Sequence, residues 1–368
     1  MVQVARPYFR NREEILDKIS EILESGRLMN GDQTAAFEGE FARYCGARHA
    51  ISVNSCTTAL EITLRHVGVQ GGEVIVPVNT FIATGNAVIF AGGKPVFAEV
   101  KDGSYNLGID EVQERITGRT RAVIAVHIAG TICEDIIEIR RLCDEKGIPL
   151  IEDCAHAVGA TLRGRKAGSF GLAGCFSFYP TKIITTGTGG MITTGSDGLD
   201  AFARSARIHG SGPKGTSEII NTGNDWFMDE IRATIGLHQL GDLDNLLGRR
   251  REVARAYLDL ISDMDEFTSF PLPKGSVPAY YKFPVQSGAG VDLPGLKQRS
   301  SEKFQMELES VYWPTCHLQP HYRDLFGFRE GDFPRSEQIL SRQVCLPIHG
   351  MISDAELDYV MRSLRESL

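Results

Sequence analysis

The sequence predicts an α/β protein in which a large domain with a mainly parallel central sheet precedes a smaller α+β domain. Strand-like and helix-like segments alternate between about residues 49 and 195, a pattern typical of parallel sheets joined by helices. The strand segments are near-continuous apolar runs such as "EVIVP" and "RAVIAV", as expected for strands covered on both faces. From about residue 245 the pattern changes to a long helix, short strands and proline-rich connections. We therefore expect a large domain over residues 1–245 and a smaller one over 246–368.

Two helices precede the alternating region. Residues 11–25 carry Ile15, Ile19, Ile22 and Leu23 at helical spacing. The segment "GDQTAAFEGEFARYCG" predicts a second helix, with Thr34 as its N-cap.

The alternating region contains seven predicted strands. The predicted order is strand "HAISVNS", helix "TTALEITLRHVG", strand "GGEVIVPVNT", helix "IATGNAVIFAG", strand "KPVFAEV", strand "RAVIAVHIAG", helix "CEDIIEIRRLCDEKG", strand "IPLIEDCA", and a strand pair in "AGCFSFYPTK" and "GGMITTG". Two further helices, "NLLGRRREVARAYLDLIS" and "SDAELDYVMRSLRESL", begin and close the C-terminal region.

The composition indicates an ordinary globular enzyme. Of the 368 residues 42% are hydrophobic and 23% are charged, and the formal net charge of −8 argues against nucleic-acid binding. No apolar run of about 18 residues predicts a membrane span, and the N-terminus has no apolar core of a signal peptide, so we expect a cytoplasmic protein. The eight cysteines form no C-x-x-C pair, which predicts buried free thiols and no metal site.

Several polar side chains follow the ends of predicted strands. Asp153 ends one apolar strand, and Lys182 and Ser177 belong to the end of another. Ligands of open α/β sheets bind at the carboxyl ends of the strands. The hydroxyl-rich segment "NSCTTAL" lies where a strand passes into a helix, and a helix N-terminus there would bind a phosphate. Phe81 follows a third strand and offers an aromatic face.

Each of these residues also has a purely structural interpretation. Asp153 could cap a helix or form an ion pair with a nearby arginine, Lys182 could pair with Asp153, and Phe81 could belong to the core. Together, however, a phosphate site, a carboxylate, a lysine and an aromatic face match pyridoxal 5′-phosphate. That cofactor needs a lysine for its Schiff base and an aspartate to keep its pyridine nitrogen protonated.

The order of motifs resembles the DegT/DnrJ/EryC1/StrS family of sugar aminotransferases, which have the aspartate aminotransferase fold. The resemblance covers nearly the whole chain, including "SCTTALEITL", "VIVPVNTFIATGNAVIFAGGKPVF", "IEDCAHAVGA", "GSFGLAGCFSFYPTK", "GNDWFMDEIRATIGLHQL" and "FPRSEQILSRQVCLPIHG". It implies that Lys182 carries the cofactor and acts as acid and base, and that Asp153 pairs with the pyridine nitrogen.

The resemblance also assigns the remaining site residues. It places His156 near the phenolic oxygen of the ring, with a satisfied core histidine as the alternative. It places Phe81 on the ring face, and Cys56, Thr57 and Ser177 at the phosphate. Asn224 would reach the phosphate of the partner subunit, which implies a homodimer, whereas the alternative is a turn residue.

Three departures from the family pattern concern the same region. Cys56 replaces a glycine of the usual "SGTAAL", and Thr188 replaces an acid of the usual "GEGG". Asp225-Trp226 stands where the family has Tyr-Arg, so an anion-binding arginine is missing. Near the C-terminus, "VYWPTCHLQPHYR" offers Trp313, His317 and Tyr322 either as substrate contacts or as a packing cluster.

The resemblance implies transfer of an amino group from L-glutamate or L-glutamine to a keto-sugar, with pyridoxamine 5′-phosphate as the intermediate form of the cofactor. The acceptor is expected to be nucleotide-linked, and a free keto-sugar or cyclitol stays open. A sugar dehydratase of this fold would have histidine in place of Lys182. A non-catalytic regulatory homologue is the remaining alternative.

Overall fold

A computed structural model describes residues 2–213 and 215–368. The chain begins with helices α1 (Arg12–Ser25) and α2 (Asp32–Cys45). The prediction of Thr34 as the N-cap of α2 is wrong, because the helix begins at Asp32 with Gly31 as its N-cap. Instead, the buried carboxylate of Glu230 accepts hydrogen bonds from the backbone N–H groups of Gly31 and Thr34 at 2.9 and 3.1 Å.

The central region alternates strands and helices as predicted, with three further helices and two short strands in addition. Its elements are β1 (His49–Val53), α3 (Cys56–Val67), β2 (Glu73–Pro77), α4 (Ile82–Phe90), β3 (Lys94–Ala98), α5 (Ile109–Arg115), β4 (Thr120–Val126), α6 (Ile136–Lys146), β5 (Leu150–Asp153), β6 (Thr161–Leu162), β7 (Arg165–Lys166), β8 (Ala173–Ser177), β9 (Gly190–Thr194), α7 (Asp197–Ala206) and α8 (Glu230–Gly241).

Seven of these strands form one sheet in the order β1-β9-β8-β5-β4-β2-β3. The pairs β2–β3, β2–β4, β4–β5 and β5–β8 are parallel, and β9 is antiparallel to both β1 and β8. The strands are buried, and one hydrophobic cluster lies on each face of the sheet. The predicted α/β class, with a mainly parallel sheet covered on both faces, is confirmed.

The C-terminal region builds a second, smaller sheet. Its elements are α9 (Leu243–Ser262), β10 (Phe267–Thr268), β11 (Ser276–Val277), β12 (Phe283–Ser287), α10 (Leu293–Phe304), α11 (Pro320–Phe326), α12 (Pro334–Ser341), β13 (Gln343–Leu346) and α13 (Asp354–Ser367). Strands β10, β12 and β13 form an antiparallel sheet with its own hydrophobic cluster. Val2 joins that cluster and pairs with Met306. The boundary at 245/246, which falls inside α9, stays a prediction.

All eight cysteines are buried and free, as predicted. Within the described residues, no helix has both the length and the apolar character needed to cross a membrane.

Candidate active site

The strand order brings the predicted residues to one edge of the sheet. Strands β5 and β8 are neighbours, and they end at Asp153 and Ser177; β1 leads into α3 two strands farther on. A cavity of about 840 Å³ opens at this edge. Seven of the eight predicted site residues line it: Cys56, Thr57, Phe81, Asp153, His156, Ser177 and Lys182.

Asp153 is a buried carboxylate that faces the cavity. Its Oδ2 accepts a hydrogen bond from Thr84 Oγ1 at 2.8 Å, and its Oδ1 accepts one from the backbone N–H of Ala155 at 3.1 Å. Burial raises the pKa of Asp153, although these hydrogen bonds and the charge of Lys182 oppose the rise. None of its hydrogen-bond partners within the described residues is a cation, so the carboxylate keeps the capacity to bind a positively charged group.

Lys182 lies in the turn after β8, where its backbone N–H donates to Tyr179 O at 2.9 Å. Its Nζ is 4.4 Å from the centroid of the Tyr281 ring, which is a cation–π distance. In the described part of the chain Lys182 forms no direct ion pair with Asp153, although its charge acts to lower the pKa of that carboxyl. The amine is available to a ligand in the cavity.

The N-terminus of α3 lines the cavity. Ser55 caps the helix by accepting a hydrogen bond from Thr58 N at 3.1 Å. The first amides of a helix have no partner within the helix, so those of Cys56 and Thr57 can bind an anion. The Cys56 side chain points away from them, with Sγ 3.4 Å from Cys175 O and 3.9 Å from Asp153 Oδ1. Replacing a glycine by Cys56 therefore leaves the amides accessible.

Strand β9 supports this helix start through a very close contact. A Cβ atom on Gly190 would lie 2.4 Å from Ser55 C and 2.7 Å from Cys56 N. Only glycine fits there without displacing the helix, so the sheet fixes the position of the α3 amides.

His156 is buried beside the cavity between aromatic rings. Its Nδ1 accepts the backbone N–H of Ala129 at 3.3 Å, and its Nε2 is 2.7 Å from the Tyr312 hydroxyl. The ring stacks on Tyr281 with a centroid distance of 4.2 Å. Burial lowers the pKa of His156 well below its usual value, helped by the charge of Lys182, so the imidazole is neutral.

Phe81 is 58% exposed although it lies at the cavity wall. Its ring centroid is 5.9 Å from that of Tyr312. An exposed aromatic side chain at this place suits a flat ligand ring better than a core role.

The model of the DegT/DnrJ/EryC1/StrS aminotransferase family matches residues 10–365. The chain belongs to this family. It is therefore a pyridoxal 5′-phosphate-dependent aminotransferase, and the family and cofactor predicted from the motifs are confirmed.

Its relatives include enzymes named for nucleotide-linked sugars. The aminotransferase is 34% identical to the GDP-perosamine synthase of Caulobacter vibrioides over 100% of this chain and 98% of the relative. It is 32% identical to the dTDP-3-amino-3,4,6-trideoxy-α-D-glucose transaminase of Micromonospora megalomicea, covering 98% of this chain and 96% of the relative. The solved structure of the aminotransferase TlmJ from Streptoalloteichus hindustanus superposes with a TM-score of 0.92 at 32% identity, covering 100% and 98% of the two chains.

The residues present fit the cofactor. The aminotransferase offers a buried carboxylate with no cationic hydrogen-bond partner in its described part, which suits a pyridinium N–H. It also offers two helix-start amides held against Gly190, which suit a phosphate, and a lysine amine in the same cavity.

Asn224 lies outside the cavity of its own chain. It is exposed, and its side-chain oxygen accepts a hydrogen bond from the backbone N–H of Asp225 at 2.9 Å. Trp226, which departs from the family pattern together with Asp225, is buried at the cavity wall. The guanidinium carbon of Arg65 lies 5.6 Å from the centroid of the Trp226 ring. Thr188 lines the cavity as well. The aminotransferase thus has a buried aromatic side chain at the position where the resemblance to the family pattern led us to expect an arginine.

Two of the three predicted C-terminal contacts are packing residues. His317 is buried and bonds to Glu337 at 2.9 Å, and Tyr322 is buried with its hydroxyl 3.0 Å from Asn86. Trp313, in contrast, is 38% exposed and lines a groove next to the cavity.

Sequence reasoning missed three residues of the site: Thr84, Tyr281 and Tyr312. Thr84 lies within the quoted segment "VIVPVNTFIATGNAVIFAGGKPVF", and its hydroxyl in the first turn of α4, just after a strand end, is a signal that could have found it. The two tyrosines lie in the C-terminal region, and no spacing connects them to Asp153 or Lys182.

A buried cluster of His127, Glu152 and Cys154 resembles a metal site by residue type. His127 Nδ1 accepts the N–H of Cys133, so its Nε2 carries a proton and donates to Glu152 at 2.9 Å. Glu152 also accepts backbone N–H groups from Gly168, Phe170 and Gly171. These groups are occupied by hydrogen bonds that hold β5 to the following loop.

Proposed function

We propose that this aminotransferase transfers an amino group from L-glutamate or L-glutamine to a nucleotide-linked keto-sugar. The product would be an amino sugar for a surface polysaccharide or a secondary metabolite. Two relatives at 32% and 34% identity are named for dTDP- and GDP-linked amino sugars, and they support this acceptor class.

The proposed roles follow from the contacts in the cavity. Asp153 would hold the proton on the pyridine nitrogen of the cofactor, and Thr84 and Ala155 would keep the carboxylate oriented. Lys182 would hold the cofactor covalently and, once released, would accept and return the substrate proton on Nζ. When bound, pyridoxal 5′-phosphate supplies an electron sink for the carbon that loses this proton.

The remaining residues would bind and orient the cofactor. The amides of Cys56 and Thr57, the Thr57 hydroxyl and Ser177 would bind the phosphate, and Phe81 would cover one face of the ring. His156 is neutral, so it would lie near the phenolic oxygen of the ring without adding a charge there.

One observation carries the proposal: a buried carboxylate without a cationic hydrogen-bond partner in the described chain faces the same cavity as an accessible lysine. A buried charge is costly unless a partner compensates it. The buried carboxylate of Asp153 and the accessible amine of Lys182 are therefore both explained by a ligand that carries a cation at one end and an aldehyde at the other.

The first experiment tests the chemistry at Lys182. Borohydride treatment of the loaded enzyme followed by peptide mapping is expected to find the cofactor attached at Lys182, and Lys182→Ala is expected to lose that label. Lys166→Ala, which removes a lysine outside the cavity, serves as the control. A label at another position would contradict the assignment.

The second experiment tests the substrates. L-Glutamate or L-glutamine is expected to convert the bound cofactor to its pyridoxamine form, seen as an absorbance change. A panel of keto-sugars, free and nucleotide-linked, is then supplied, and the aminated product is identified by mass. If no amino donor changes the absorbance, transamination is refuted; if only free sugars react, the nucleotide-linked acceptor is refuted.

We further propose that the enzyme is a cytoplasmic homodimer in which Asn224 completes the site of the partner subunit. Asn224 lies on an exposed loop outside its own cavity, and that loop also exposes Ile219 and Ile220 at 66% and 56%. Eight buried free thiols support a reducing compartment.

Subunit complementation tests the dimer. Lys182→Ala and Asn224→Ala subunits are each expected to be inactive when alone. If Asn224 acts across the interface, a mixed dimer has one intact site and regains about half of the wild-type activity per dimer. If Asn224 acts within its own chain, both sites stay defective and activity does not return.

A further inference from the structure

Tyr312 lies on the wall between two cavities. One is the cavity described above, and the other is an adjoining groove of about 760 Å³. Both are lined by Phe81, Glu309 and Tyr312, while Trp313 and His321 line only the groove. A ligand that occupies both spaces therefore passes the residues that the two cavities share, and Tyr312 is one of them.

The hydrogen bonds of His156 determine where the Tyr312 proton points. Because Nδ1 of the neutral imidazole accepts the N–H of Ala129, Nε2 carries the ring proton. Nε2–H then donates to Tyr312 Oη at 2.7 Å. Burial also raises the pKa of Tyr312 well above its usual value, so the phenol keeps its own proton. Since the described residues offer that O–H no acceptor, it is free to donate into the cavity.

The Tyr312 backbone is held in a conformation that few side chains adopt. Its φ is +52°, in the left-handed region that is unfavourable for a bulky residue. The flanking residues fix it: Val311 N donates to Gln343 Oε1 at 3.1 Å, and Ser310 O accepts from Lys282 Nζ at 3.0 Å. The phenol is thus presented at a defined position.

We propose that Tyr312 determines acceptor specificity by donating a hydrogen bond from its hydroxyl to an oxygen of the sugar, and that His156 is the positioning residue that imposes this direction. This inference rests on the proposed function. It shifts part of the role predicted for His156 from the cofactor to the substrate, because both ring nitrogens of His156 are already engaged.

The chemistry of the groove favours the sugar over the amino donor as the partner of Tyr312. Among its described lining residues, Glu309 is the acid and His321 the histidine, and no lysine or arginine is present. Glu309 is paired with Lys282 at 2.6 Å, and the described lining of the groove offers no further cation to bind the side-chain carboxylate of a glutamate donor. A hydroxylated ring offers neutral oxygen acceptors, and the exposed Trp313 can pack against a sugar ring or a base.

The two half-reactions separate these partners experimentally. L-Glutamate is the probe for the donor half-reaction. GDP-perosamine and dTDP-3-amino-3,4,6-trideoxy-α-D-glucose are the probes for the acceptor half-reaction, which they run in reverse. Each reaction is followed by the absorbance of the cofactor after rapid mixing. For Tyr312→Phe we expect unchanged cofactor affinity and a glutamate half-reaction within about 2-fold of wild type. For the amino sugar that wild type uses best, we expect kcat/KM to fall about 5- to 10-fold, the effect of one lost hydrogen bond.

Tyr359→Phe is the matched control, because its hydroxyl bonds to Phe304 O on the surface far from the cavity. A wild-type kcat/KM for the amino sugar in Tyr312→Phe would overturn the inference. So would an equal loss in the glutamate half-reaction, since Tyr312 would then serve the cofactor. Wild-type enzyme that reacts with glutamate but with no amino sugar or keto-sugar would refute the proposed function, and this inference with it.

A double-mutant cycle tests the role of His156. In a His156→Gln background, Tyr312→Phe is expected to cost less in amino-sugar kcat/KM than it does in wild type, because the phenol has already lost its imposed direction. Strictly additive losses would remove His156 from the inference.

Discussion

The contact between Gly190 and the start of α3 allows a worked prediction. A Cβ added at Gly190 would lie 2.4 Å from Ser55 C and 2.5 Å from Ser55 O. Ordinary contacts between such atoms begin near ~3.5 Å, so Gly190→Ala must displace the start of α3 by about 1 Å. Both partners are backbone atoms, which cannot move aside as a flexible side chain would.

That displacement acts on the amides that would bind the phosphate. Misaligning one hydrogen bond to a charged group costs about 1.5–3 kcal/mol, so we expect Gly190→Ala to weaken the affinity for pyridoxal 5′-phosphate about 10- to 100-fold. Overpacking should also lower the free energy of unfolding by about 1–3 kcal/mol. The first value is measured by titrating apoenzyme with the cofactor, and the second by urea unfolding of the apoenzyme.

Gly195→Ala is the control, because its Cβ would meet no atom within 4 Å at the other end of β9. We expect it to bind the cofactor like wild type. If Gly190→Ala binds the cofactor with wild-type affinity, the α3 amides are not the phosphate site or the sheet does not fix them.

Two further predictions concern buried carboxylates. Asp153→Asn should abolish transamination yet raise the Tm of the apoenzyme at pH 7. Burial raises the pKa of Asp153, so the wild-type protein loses stability as pH rises through that pKa and the carboxyl ionises. The Tm difference between variant and wild type should therefore vanish in acid near pH ~4. Equal Tm values at pH 7 would contradict this. Glu38→Gln should destabilise the fold by about 3 kcal/mol at pH 7, because it breaks a buried cluster with Arg204 and Arg207. Burial opposes ionisation of Glu38, but the two arginines outweigh it and lower its pKa, so the wild-type advantage should disappear as pH falls through that pKa. Urea unfolding across pH measures it, with the exposed Glu40→Gln as control; a pH-independent difference would refute the electrostatic cause.

The elements that the sequence predicted well are those whose signal is local. Apolar runs gave the strands, and glycines such as Gly147 marked helix ends correctly. Thr34 shows the limit. Its hydroxyl suited an N-cap, but the carboxylate that binds the start of α2 belongs to Glu230, far along the chain. Such a partner is set by tertiary packing, which no local pattern contains.

The residues of the candidate site likewise divide into those that a local sequence signal predicts and those that only tertiary packing brings to the cavity. Asp153, Lys182 and Ser177 follow strand ends, so the topology of a parallel sheet predicts that they meet. Tyr281 and Tyr312 reach the cavity from loops of the C-terminal region, where neither periodicity nor strand position limits the location of a side chain. The direction of the Cys56 side chain, toward Asp153 and away from the helix axis, likewise depends on rotamer and packing.

The order of the central strands has an evolutionary consequence. Neighbouring strands lie about 4.8 Å apart, so the separations between the ends of β5, β8 and β1 are multiples of a fixed step. A lineage could replace every loop around the groove without altering that step. Selection can therefore change the preferred acceptor while the strand-end residues that bind the vitamin-derived ring are inherited unchanged.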